Sequence, residues 1–105
     1  MAKDVLVSSL KKAIVAALPQ GAINFKNVRT IDADLKSSRT IAFKGGYSQE
    51  LTEEQKQAVK SVVKGVVVDH LGVAGIHYIL ESVYIDTRNM DKTFKGYTRI
   101  TLDKK

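Results

Sequence analysis

Asp32 and Asp34 form an Asp-x-Asp pair near the end of a stretch that alternates like a strand. In a strand, residues two apart share a face, so both carboxylates could hold one Mg²⁺ through oxygen. Metal-dependent phosphodiester hydrolysis would need a further ligand, with Asp86 and Glu50 as candidates. The competing reading is a solvated strand face before a turn, the usual place for carboxylates. His70 and His77 are the two histidines. His70 follows Asp69 at the expected end of a helix, where an imidazolium is favoured. No Gly-x-Ser-x-Gly accompanies either one, so acid–base catalysis has no nucleophile to serve. Gly45-Gly46 precedes a loop and then a helix, but the glycines and lysine of a P-loop are missing, and a flexible turn is the expectation. A metal-dependent phosphodiesterase at Asp32 and Asp34 ranks third among the readings of this chain; the leading expectation is a non-enzymatic protein that calls for neither a cofactor nor a resident metal.

Basic residues carry more. Lys56, Lys60 and Lys64 repeat at i, i+4 and i+8 and form one stripe along a helix, opposite a run of valines. Like charges at that spacing repel by a few tenths of a kcal/mol, which is tolerated in water and rewarded on phosphate. Lys95, Tyr97 and Arg99 alternate along the last expected strand, and Lys44 belongs to a neighbouring one, with Thr40 beside it. A flat sheet carrying an aromatic ring among cations is a platform on which bases stack and phosphates are met. The expected nucleic-acid surface is therefore Lys44, Lys95, Tyr97 and Arg99, helped by Lys56, Lys60 and Lys64.

Charge agrees with that direction. The formal net charge is +6, and the sequence pI is near 9.6. Residues 1–51 hold eight Lys/Arg against four Asp/Glu, and residues 52–105 nine against seven, so the excess is spread and forms no basic tail. A diffuse excess favours weak association with polyanions. Cysteine is absent, which excludes disulfides, thiolate metal sites and a cysteine nucleophile. No apolar run nears the ~20 residues that cross a bilayer. The opening residues lead straight into an amphipathic pattern rather than a secretory signal, and a cytoplasmic location is the expectation.

The elements that must position these residues read as helix, strand, strand, then helix, strand, strand. Leu6, Leu10, Ala13, Ile14 and Ala17 recur at helical spacing in residues 4–18, with Asp4 as the expected cap and Pro19 as the stop. Residues 53–71 carry Val59, Val62, Val63, Val66 and Val67 on one stripe, and Gly72 is placed to end the helix. Thr52 and Gln55 form a capping box there, and this outweighs the strand preference of so many valines. Residues 28–35 and 39–44 alternate around Lys36-Ser37-Ser38, and residues 75–87 and 93–102 lie either side of a turn at residues 88–92. For residues 22–27 two readings stay open: an early strand start, or a loop tucking Ile23 and Phe25 under the sheet.

A chain of 105 residues has room for a single core, so the expectation is one α+β domain over residues 1–105. Its order makes a two-layer sandwich, with two helices on one face of a four-stranded, mainly antiparallel sheet. This is a circular permutation of the ferredoxin-like arrangement, with the second and fourth strands central. Fold analogy of this kind carries no function.

The third strand is unlike the rest. Ile76, Tyr78 and Leu80 lie on one face and Ile79, Val83 and Ile85 on the other, so both faces read as apolar. Helices on one side would leave one set bare, on an edge strand, and bare apolar edges are normally covered. That yields the second expectation: a homo-oligomeric or protein-docking subunit, a small protein inhibitor included, using residues 75–87. The first is a small basic non-enzymatic binding module that takes nucleic acid.

Overall fold

The structure is a computed structural model that describes residues 5–69, 78–90 and 93–104. Helix α1 (Val5–Ala17) is followed by a 3₁₀ turn (Phe25–Asn27), strands β1 (Arg29–Asp34) and β2 (Ser38–Lys44), helix α2 (Glu53–Asp69), and strands β3 (Tyr78–Met90) and β4 (Thr93–Lys104). The four strands pair antiparallel in the order β1-β2-β4-β3, so β2 and β4 are central as expected. None of the described helices is long and apolar enough to cross a membrane.

Local chemistry explains the helices. Thr52 and Gln55 make the expected box: the Gln55 amide donates to Thr52 Oγ1 at 3.1 Å, and the Thr52 amide donates to Gln55 Oε1 at 3.0 Å. Glu53 and Glu54 occupy the first turn, where the helix dipole favours anions. Leu6, Leu10 and Ile14 of α1 meet Val59, Val63 and Val67 of α2 in one core, over Ile41, Phe43, Ile100 and Leu102 of the central strands. Asp4, His70, Leu71, Gly72 and Ile76 lie outside the described residues, and with them the expected cap of α1, the expected end of α2 and the start expected for β3.

Residues 22–27 take the tucked form. Ala22 is buried, and Phe25 packs edge-on to Phe43, with ring centroids 6.0 Å apart. The loop after β2 is no loose turn. Tyr47 is buried, bridges to Ile23, and its hydroxyl pairs with that of Thr98. The Leu51 amide donates to the buried Thr87 Oγ1 at 3.0 Å. Gly45 and Gly46 have φ of 81° and 85°, which explains their residue type: they turn the chain sharply so that Tyr47 can enter the core. The expected 88–92 turn is also shorter, since the β3–β4 ladder continues to Met90 opposite Thr93.

Burial pushes the Tyr47 phenol above its ordinary value of 10.0, although the Thr98 hydrogen bond pulls it back. The unfolded chain therefore ionises this phenol first. Its contribution to stability is full below about pH 10 and is lost as pH rises through the higher value in the fold. Thermal unfolding followed between about pH 9 and pH 11 is expected to show Tm falling steeply in the parent and less steeply in Tyr47→Phe. Parallel slopes would mean that the phenol is not held neutral by burial.

The third strand resolves the two-faced pattern by a β-bulge. Leu80 faces Leu102 and Ser82 faces Thr101, leaving Glu81 as the extra residue. The bulge shifts the alternation by one. Tyr78 and Leu80 before it and Val83 and Ile85 after it all turn to the helix side, with Tyr78 and Ile85 buried. The expectation that one apolar set stands bare is therefore corrected. Of the described members, only Ile79 points away, and it is 52% exposed. A bulge on an edge strand also interrupts the hydrogen-bonding row that a second strand would need.

Candidate nucleic-acid interface

The helix-free face of the sheet is built by register. Reading across β1, β2, β4 and β3, one row is Arg29, Lys44, Tyr97 and Asp86, and the next is Ile31, Ala42, Arg99 and Tyr84. A third row is Ala33, Thr40, Thr101 and Ser82, beyond which Asp103 pairs with Ile79. Lys44, Tyr97 and Arg99 thus come together as the sequence implied, with Thr40 four residues from Lys44 along β2. Backbone pairing sets Lys95 opposite Arg88, one step beyond the first row, but its side chain lies outside the described residues.

Tyr84 is the residue that sequence reasoning missed. It sits diagonally from Tyr97, with ring centroids 6.2 Å apart and ring planes at 61°. Each ring has a cation near its face: Lys44 Nζ is 5.7 Å from the Tyr97 centroid and the Arg99 guanidinium carbon 5.4 Å from that of Tyr84. Tyr84 is 46% exposed, and Arg99 and Lys44 are exposed. Two aromatic rings and two cations therefore occupy adjoining rows of the sheet. Asp86 accepts a long 3.4 Å hydrogen bond from the Tyr84 hydroxyl and places a negative charge at the β3 end of the first row. Anions are therefore favoured toward β2 and β4 rather than along β3.

The lysine stripe lies elsewhere. Lys60 and Lys64 line a groove of about 400 Å³ between α2 and β3, over Leu80 and Val83, on the helix side of the sheet. Lys56 lies 3.6 Å from Glu53 within α2. The sheet separates this stripe from Lys44, Tyr97 and Arg99, so the two groups form distinct surfaces and not one platform. The interface set expected from strand 75–87 is likewise divided. Tyr78, Leu80, Val83 and Ile85 serve this chain's own core, and Ile79 remains outside.

Asp32 and Asp34 also take an unexpected side. β1 turns Ile31 and Ala33 to the open face and both aspartates to the helix face, at the sheet edge. The reason is Arg39, which is 3% exposed on that face. Its Nε and Nη2 donate to the two Asp32 oxygens at 2.9 and 2.5 Å, and its guanidinium lies 5.7 Å from the Tyr78 ring centroid. Burial, and then the Asp34 carboxylate, push the Asp32 carboxyl above its ordinary value, even with this arginine at hand. Asp86 is on the opposite face and the opposite edge strand, and Glu50 adjoins Leu51 at the Thr87 end of the sheet, away from Asp34. Among the described residues, no group of three metal-ligating side chains gathers. His70 and His77 lie outside them.

Asp32 therefore acts as the counter-ion of a buried arginine. Asp32→Ala is expected to cost about 2 kcal/mol in urea denaturation, between the values for exposed and buried pairs, because Arg39 loses this carboxylate. Adding Arg39→Met should recover most of that loss. An unchanged midpoint in Asp32→Ala would show that the pair is not structural.

Compared with known proteins, the chain matches no family model, no curated protein and no solved structure.

Proposed function

We propose that this protein is a small non-enzymatic module that binds single-stranded nucleic acid on the open face of its sheet. The observation that carries the reading is the pairing of Tyr84 with Tyr97 on adjoining strands, with Lys44 and Arg99 at their faces. Any base offers a π-face to such rings, so stacking is tolerant of sequence, and the cations contribute through the phosphates. A duplex hides its base faces and gains only the charge term. The net charge of +6 adds a long-range attraction for the same ligand.

Fluorescence anisotropy at low salt, with a labelled single strand and its duplex, tests the reading. Tighter binding of the single strand, weakened by salt and by Tyr84→Ala with Tyr97→Ala, is the expected result. Equal affinity for both forms, or indifference to the tyrosines, would defeat it. A second reading, self-association, draws on Ile79, which is 52% exposed on the same face. Light scattering on the same samples separates the two, since a dimer closed over this face would compete with the oligonucleotide.

A further inference from the structure

We infer that the outer face of α1 is a second docking site, built for an acidic amphipathic helix of a partner protein. A groove of about 490 Å³ runs along α1 beside the 3₁₀ turn, lined by Ser8, Lys11, Lys12, Val15, Ala16 and Phe25. Those α1 positions follow the i, i+3, i+4, i+7, i+8 spacing of one helix face. From Ser8 to Ala16 that face is about 12 Å long. Val15 is 44% exposed, Ala16 is exposed, and Phe25 is half-buried at the far wall. Serine and alanine let a second backbone come close, while Val15 and Phe25 offer apolar contact between them.

Charge selects the occupant. Residues 5–31 contain Lys11, Lys12, Lys26 and Arg29 and no aspartate or glutamate. Lys11 Nζ lies 5.9 Å from the Phe25 ring centroid, so a cation stands at the apolar wall itself, and among the described residues no acid lines the groove. A partner with carboxylates flanking an apolar stripe meets both features. A second copy of this face does not, since it would set Lys11 and Lys12 against their equivalents. A small acid would remain half in water in so open a groove, whereas a helix brings its own cover.

The probe is a synthetic helical peptide of about 18 residues, with leucines on one stripe and glutamates along its borders, compared with a version carrying lysines at those borders. The glutamate peptide is expected to bind the full chain in anisotropy titrations at low salt, and the lysine peptide to bind at least about tenfold more weakly. Lys11→Glu with Lys12→Glu should reverse that preference, and Val15→Asp should abolish binding of the glutamate peptide. Tyr84→Ala with Tyr97→Ala should leave it unchanged, which keeps this site distinct from the open sheet face. Thermal unfolding of each variant confirms that it is folded. No binding of the glutamate peptide at millimolar concentration, equal binding of both peptides, or binding indifferent to Lys11 and Lys12 would overturn the inference. So would capture by anionic vesicles that needs the same residues while the glutamate peptide stays unbound.

Discussion

Gly96→Ala is expected to destabilise the protein by about 3 kcal/mol, the upper end for overpacking in a closed core. A Cβ on Gly96 would stand 2.0 Å from Tyr47 Cδ2, 2.6 Å from Cγ and 2.8 Å from Cβ. These are the root and inner ring of a buried side chain, so rotating a flexible tip cannot relieve the clash. Nor can Tyr47 move aside cheaply. Its hydroxyl is bonded to Thr98, the Gly45 amide donates to the Gly96 carbonyl at 2.8 Å, and the Ser48 amide donates to the Ala22 carbonyl at 2.8 Å. Urea denaturation of Gly96→Ala, Tyr47→Leu and the double variant checks the cause. If the clash with the ring is responsible, the alanine costs much less once Tyr47 is leucine. An equal cost in both backgrounds would point instead to the backbone.

Gly96 also marks a limit of what the sequence discloses. In the alternation of residues 93–102 it is simply a glycine in a strand, with no local sign that a ring from residue 47 rests on it. The succession of helices and strands was legible because its causes are local: a capping box at Thr52, apolar spacing on α1 and α2, and polar turns between strands; that β2 lies beside β4 followed only from the fold analogy. What was not legible depends on partners far along the chain. The bulge at Glu81 is such a case. Read without it, β3 has two apolar faces and suggests an interface; with it, the same residues enter one core. Tyr84 was hidden by the same misreading, since alternation with Val83 and Ile85 places it outward only when those two point inward. β1 is the second case. Its alternation was plain, but its direction was set by Arg39, a buried cation that needs Asp32 on its own face. The basic face was only partly legible: Lys44, Tyr97 and Arg99 meet through strand pairing, whereas Lys56, Lys60 and Lys64 share a helix that lies across the sheet from them.

The consequence for binding is large and specific. Stacking of one base on one aromatic ring is worth about 1–3 kcal/mol, so removing both Tyr84 and Tyr97 is expected to weaken single-strand binding on the order of a hundredfold or more. Arg99→Ala tests a different term. It removes a single cation that serves both phosphate and the Tyr84 face, so it should lower affinity and flatten the dependence on salt together. The tyrosine variants should lower affinity with the salt slope nearly unchanged, because no charge is lost. The rings also touch, at 6.2 Å between centroids, so the two single substitutions should not add. Removing either one frees its neighbour from an edge-on contact and alters the platform that remains. Anisotropy titrations of the single and double variants over a range of salt, each variant first shown to unfold at the parent's temperature, separate the two terms. A salt slope that changes with the tyrosines and not with Arg99 would mean that the rings merely hold the cations in place, and the stacking account of this face would fail.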